Sequence, residues 1–136
     1  MDNTQERNSE LYAAYIKLMR EVNITHSEAV HRAVNSPASR YYVSPNYLYR
    51  EILRRERGEE TPQRARTMRK TGIYDHLFSE YLSMKSRPIY NGLSKLALCD
   101  LVVNSPAPCF FLSDKRGDEI IRKVGQQRAT DRHWDI

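Results

Sequence analysis

The sequence predicts a mainly α protein with two short β segments, made by using one helix-helix-strand-helix unit twice. Three observations carry this. The stretch Asn35–Val43 reads N-S-P-A-S-R-Y-Y-V and is followed by serine; it returns at Asn104–Leu112 as N-S-P-A-P-C-F-F-L, again followed by serine. Around each copy, apolar residues recur at the three- and four-residue spacing of one helix face. The chain has 136 residues, of which 40% are hydrophobic and 29% charged, enough for one modest core. The expected organisation is a single domain over 1–136, with repeats at about 9–57 and 73–125 and a basic connecting segment at about 58–72.

Residues 1–8 are polar and read as a frayed lead-in. A first helix is predicted over about 9–22, where Leu11, Tyr15, Leu18 and Val22 share a face. Asn23-Ile24 breaks it. Thr25-x-x-Glu28 is a capping box: the threonine hydroxyl accepts from the amide of residue 28, and the glutamate reaches back to the amide of Thr25. The second helix places Ala29, Val30, Ala33 and Val34 inward. Asn35-Ser36-Pro37 stops it, because proline disfavours helical geometry in the residue before it. Arg40-Tyr41-Tyr42-Val43 is aromatic and β-branched and reads as a brief strand.

Ser44-Pro45 opens a third helix, with serine as N-cap and proline at the first helical position. Leu48, Tyr49, Ile52 and Leu53 are expected to face inward, and Asn46, Arg50, Arg54 and Arg57 outward. Gly58-Glu59-Glu60 is a break. The polar run Gln63–Lys70 reads as a solvated helix or a linker, and Gly72 ends or weakens it. A further helix starts near Ile73, with Leu77, Phe78, Tyr81, Leu82 and Met84 on its apolar side, and Arg87-Pro88 ends it. Leu93, Leu96, Ala97, Cys99, Val102 and Val103 mark the counterpart of the second helix. Cys109-Phe110-Phe111-Leu112 is the second strand candidate. Ser113-Asp114 caps a last helix with Ile120, Ile121 and Val124 inward and Gly125 as its end, leaving Gln126–Ile136 as a polar tail.

A unit of this size buries little apolar surface alone, so two units are expected to cover each other about an internal pseudo-twofold, with residues 40–43 and 109–112 paired antiparallel.

Composition bounds function. No apolar run approaches the ~18 residues of a membrane span, and the N-terminal residues lack the apolar stretch of a secretory signal. Cys99 and Cys109 have no metal or redox spacing and read as buried free thiols. His26, His31, His76 and His133 have no second cluster of ligands beside them, so neither a metal nor another cofactor is expected. There is no phosphate-cradling glycine loop and no Ser/His/Asp arrangement; the expectation is a non-enzyme. The formal net charge is +5, and the isoelectric point is near 9.3, which points to a polyanionic partner.

N-S-P-A-x-x-aromatic-aromatic-aliphatic-Ser, used twice in a small basic chain, resembles small proteins encoded by gut Bacteroidetes, their phages and mobile elements. The resemblance covers both motif copies and the flanking helices. It brings no activity or functional residue with it, and implies a cytoplasmic or phage-related setting.

The residues themselves point to DNA. Arg50, Arg54 and Arg57 in the third helix and Arg64, Arg66, Arg69 and Lys70 in the central segment suit phosphate, which an arginine fork grips with two parallel hydrogen bonds. Arg40, Tyr41 and Tyr47 lie nearby in sequence, with the tyrosines as stacking surfaces. A helix-turn-helix of the second and third helices would make Asn46, Tyr47 and Arg50 the readers of base edges. Its departure from that motif is the nine-residue Asn35–Val43 link, where the motif uses about 3–4 residues. The alternative is a phage structural or adaptor protein that binds a protein partner through exposed tyrosines and Trp134.

Overall fold

The computed structural model describes residues 3–59 and 72–134, with side chains through residue 131. Six α-helices lie among the described residues: α1 (Asn3–Glu21), α2 (His26–Val34), α3 (Pro45–Arg57), α4 (Ile73–Lys85), α5 (Lys95–Val103) and α6 (Asp114–Trp134), with a 3-10 turn at Pro88–Tyr90 between α4 and α5. The mainly helical expectation holds. The two β segments do not: among the described residues the antiparallel pairing is a single bridge, Ala38 to Ala107, ahead of both predicted strands. The physical reason lies in where the backbone amides go. Tyr41 N–H donates to Val103 O at 3.0 Å, and Phe110 N–H donates to Val34 O at 3.0 Å. Each segment therefore caps the C-terminal end of a helix, and Tyr41 and Phe110 are buried beside it.

The described residues gather into two compact units. One draws on Met1–Ala38 and Ala107–Ile136 and packs α1, α2 and α6 together; the other is Ser39–Pro106 and packs α3, α4 and α5. In each, two consecutive helices are completed by a third from the other half of the chain.

In the first unit, α1 is pinned by Leu11, its one fully buried side chain, a burial worth about 1.5–3 kcal/mol. The helix starts well before residue 9. Its polar first turns carry no apolar periodicity, but Thr4, Gln5, Asn8 and Ser9 lie along α6 beside Lys123 and Gln127. The Thr25 cap forms as expected, its hydroxyl accepting from Glu28 N–H at 3.2 Å. The Glu28 carboxylate instead accepts from Arg32 Nε at 3.0 Å. Ala29, Val30, Ala33 and Val34 are all buried. After the helix, Asn35 Nδ2 donates to His31 O at 2.8 Å and Ser36 Oγ donates to Ala33 O at 2.6 Å, so both residues satisfy carbonyls that the helix end leaves open.

Helix α6 does not stop at Gly125. A methyl group there would come 3.5 Å from the Tyr12 ring, and the Arg128 guanidinium lies over that ring at 4.7 Å. Packing against α1 outweighs the ~1 kcal/mol that glycine costs a helix interior. Gly117 is tighter still, since a methyl there would lie 2.4 Å from Val34 Cγ1. Two histidines of α2 tie the start of α6 in place. His31 Nδ1 meets Asp114 Oδ2 at 3.0 Å, and His26 Nε2 meets Asp118 Oδ1 at 2.5 Å while its Nδ1 meets Tyr15 OH at 2.8 Å.

In the second unit, Pro45 opens α3 at the first helical position, and Gly58 closes it with a left-handed φ of 70°. Leu48 and Ile52 are fully buried; Tyr49 and Leu53 are half-buried. In α4, Ile73, Tyr74, Leu77 and Tyr81 are buried, whereas Leu82 faces solvent. Ser94 caps α5 by accepting from Ala97 N–H at 3.1 Å, and Asn104 and Ser105 end it with bonds to Asp100 O at 2.8 Å and Val102 O at 2.6 Å. Cys99 and Cys109 are free thiols; burial pushes Cys99 up to about 11.

Candidate nucleic-acid interface

Asn46, Arg50, Arg54 and Arg57 follow one another at steps of four, four and three, so they lie on one side of α3. Leu48, Glu51, Ile52 and Arg55 occupy the opposite side, which packs on α5 and α4. Asn46, Arg50 and Arg57 are exposed and Arg54 is half-buried. Each four-residue step advances about 6 Å along the axis, so Arg50 and Arg54 present guanidinium groups as a row. Arg57 has Glu59 at 3.7 Å, with both side chains more than half exposed, a weak pairing in water. At the other end, Asn46 borders a shallow groove of about 450 Å³ walled by Ser94, Leu96, Ala97 and Asp100. The Asp100 carboxylate makes that end less hospitable to phosphate than the arginine end.

Other predicted residues are placed differently. Tyr41 is 3% exposed, with its ring 5.6 Å from that of His76; it belongs to the core and offers no stacking face. Tyr47 is half-buried, tilted against Tyr74 at 5.9 Å. Arg40 is half-buried, lies over the Tyr42 ring at 5.1 Å, and its Nη1 donates to Asn104 Oδ1 at 3.5 Å. Arg64, Arg66, Arg69 and Lys70 lie outside the described residues. The expected helix-turn-helix joined α2 and α3; α2 packs with α1 and α6 in the first unit, and the helices packed on α3 in the second are α5 and α4. The Asn35–Val43 link runs across the boundary between the two units.

Arg55, on the same helix, is an internal group. Its side chain is 18% exposed; Nε donates to Glu51 Oε1 at 3.1 Å, Nη2 donates to Asp75 Oδ1 at 2.8 Å, and the guanidinium lies 5.2 Å over the Phe78 ring. Lys95 is likewise matched, to Glu56 at 2.5 Å, and that hydrogen bond raises its pKa. Glu51 is the residue sequence reasoning missed. It is 1% exposed, with Oε2 buried and without a hydrogen-bond partner among the described residues. The signal available was its position one residue before Ile52 and four before Arg55. Tyr81 OH is the second buried polar atom without such a partner; burial, then the Glu56 charge, pushes its phenol up.

No protein-family model, curated protein or solved structure matches the chain. No described helix is long and apolar enough to cross a membrane.

Proposed function

We propose that the chain is a non-enzymatic DNA-binding protein that contacts phosphates through the outward row of α3, with the central basic segment adding to it. The observation that carries this is the contrast along one helix. Arg55, on the inward side, is neutralised by Glu51 and Asp75, while Arg50 and Arg54 have no carboxylate partner among the described residues. A row of uncommitted guanidinium groups costs like-charge repulsion that phosphate relieves. The setting that goes with this reading is a phage or mobile element acting in the bacterial cytoplasm, as the sequence resemblance implies.

We infer further that the chain is a tandem duplication whose two units exchange their third helices. The N-S-P-A alignment places Val34 on Val103 and Tyr41 on Phe110. The bonds Tyr41 N–H to Val103 O and Phe110 N–H to Val34 O are then one bond made twice. The Asn and Ser bonds that end α2 and α5 match pairwise as well.

Duplex binding measured against salt tests the DNA reading. Arg50, Arg54 and Arg57 replaced together by Ala should weaken binding and reduce the salt slope by ~0.9 for each phosphate no longer neutralised. Arg116→Ala, which removes an exposed pair with Glu119, should leave binding unchanged. No binding at low salt would reject the reading.

One observation favours the alternative, a protein-interaction or phage structural role. Leu82, Ile89, Leu93, Leu96 and Leu101 are all exposed, Ile89 at 82%, and all belong to the second unit. Ile89→Glu should leave DNA binding intact. A parent chain that binds no DNA but holds a protein partner, which Ile89→Glu releases, would favour this reading.

A further inference from the structure

We propose that the groove between α1 and α6, in the first unit, holds one nucleotide of a single strand. The groove has a volume of about 390 Å³, and Tyr12, Ile16, Lys17, Arg20, Glu21 and Arg128 are among its lining residues. Three cations thus meet one carboxylate. Lys17, Arg20 and Arg128 have no ion pair among the described residues, whereas in the same unit Arg32, Arg116 and Arg122 each have a carboxylate within 3.3 Å. The aromatic element is present too: the Arg128 guanidinium lies 4.7 Å over the Tyr12 ring. The guanidinium over the ring has a planar face on which a base can stack, and lysine and arginine one turn apart on α1 are placed for a phosphate. Stacking plane and cationic wall together are the two parts of a sequence-tolerant single-strand site. The volume falls at the lower end for small-molecule sites, matching one nucleotide rather than an extended segment. Glu21 opposes the phosphate and makes a test in the opposite direction possible.

This site is separate from the α3 row and does not depend on it. Fluorescence anisotropy with a labelled oligo-dT strand at low salt tests it on the full chain. Lys17→Ala with Arg20→Ala should weaken binding at least ~10-fold and lower the salt slope by about 0.7, the value for one neutralised single-strand phosphate. Arg128→Lys keeps the charge and loses the plane, so it should weaken binding several-fold with the slope unchanged. Glu21→Gln should tighten binding. These side chains are exposed, and thermal melts coinciding with the parent chain establish that the variants are folded. In parallel, the α3 triple variant should retain oligo-dT binding whatever it does to duplex binding, which separates failure of this site from failure of the α3 reading. Absence of oligo-dT binding, or binding indifferent to Lys17 and Arg20, overturns the proposal. Displacement of the strand by free dTMP at equal affinity per nucleotide also overturns it, in favour of a free-nucleotide site.

Discussion

Ala38 and Ala107 exchange both of their backbone hydrogen bonds, each at 3.0 Å. Their side chains are 4% and 3% exposed. Both alanines, the fourth letter of each N-S-P-A, are therefore buried where the two segments meet. Ala107→Leu should destabilise the fold by about 1–3 kcal/mol through overpacking, read as a lowered urea midpoint. Ala13→Leu, at an exposed position of α1, should stay within about 0.5 kcal/mol. Equal effects from the two would show that the bridge is not tightly packed.

Two glycines of α6 make a sharper contrast. Replacing a helical glycine by alanine ordinarily stabilises by about 0.5–1 kcal/mol. Gly125→Ala should do so, because the new methyl meets Tyr12 at 3.5 Å, an ordinary contact. Gly117→Ala should have the opposite sign, because the methyl would lie 2.4 Å from Val34 Cγ1. Val34 is 2% exposed and β-branched, so it has little freedom to turn away. Thermal melts of the two variants should move in opposite directions.

Glu51 and Arg55 form the most consequential ion pair of the second unit. Glu51→Ala would leave the Arg55 guanidinium, 18% exposed, with Asp75 but without its inward partner, at a cost of about 1–3 kcal/mol. Asp75→Asn removes the other partner, but Asp75 is 71% exposed, so the loss should be about 0–1 kcal/mol. Chemical denaturation of the two variants checks the ranking. Equal, small effects would mean that Arg55 reaches solvent easily.

Acid should loosen the first unit through Asp118. Its pKa is held below the ordinary 3.8, first by the hydrogen bond from His26 and then by that from Arg122. A carboxylate with a depressed folded-state pKa stabilises the fold above its unfolded pKa. That contribution is lost as pH falls below about 4 and through the depressed value. Asp118→Asn should flatten the dependence of the unfolding midpoint over that acid window. Identical acid limbs for Asp118→Asn and the parent chain would remove Asp118 from the account.

The legible parts of this fold are local. Thr25, Pro45 and Gly58 act within a few residues of themselves, so their signals survive in any tertiary context, and α2 and α3 begin and end where those residues direct. The breakers after α2 and α5 were equally readable. For the site, the outward row Asn46, Arg50, Arg54 and Arg57 followed from helical spacing once α3 was known. Tyr41 was misread because an aromatic beside an arginine looks the same in sequence whether its ring is offered or buried.

What the amino-acid order alone determined was where most helices start and stop, and which side of most of them is apolar. Only the tertiary structure decided that α3 completes α4 and α5 while α6 completes α1 and α2. It also decided that α6 continues through Gly125 and that Glu51 is buried. An apolar stripe records that a helix face must leave water, but the hydrophobic effect has no direction and does not name the surface that covers it. That choice is made by shape, at contacts such as Gly117 on Val34, between residues far apart in the chain.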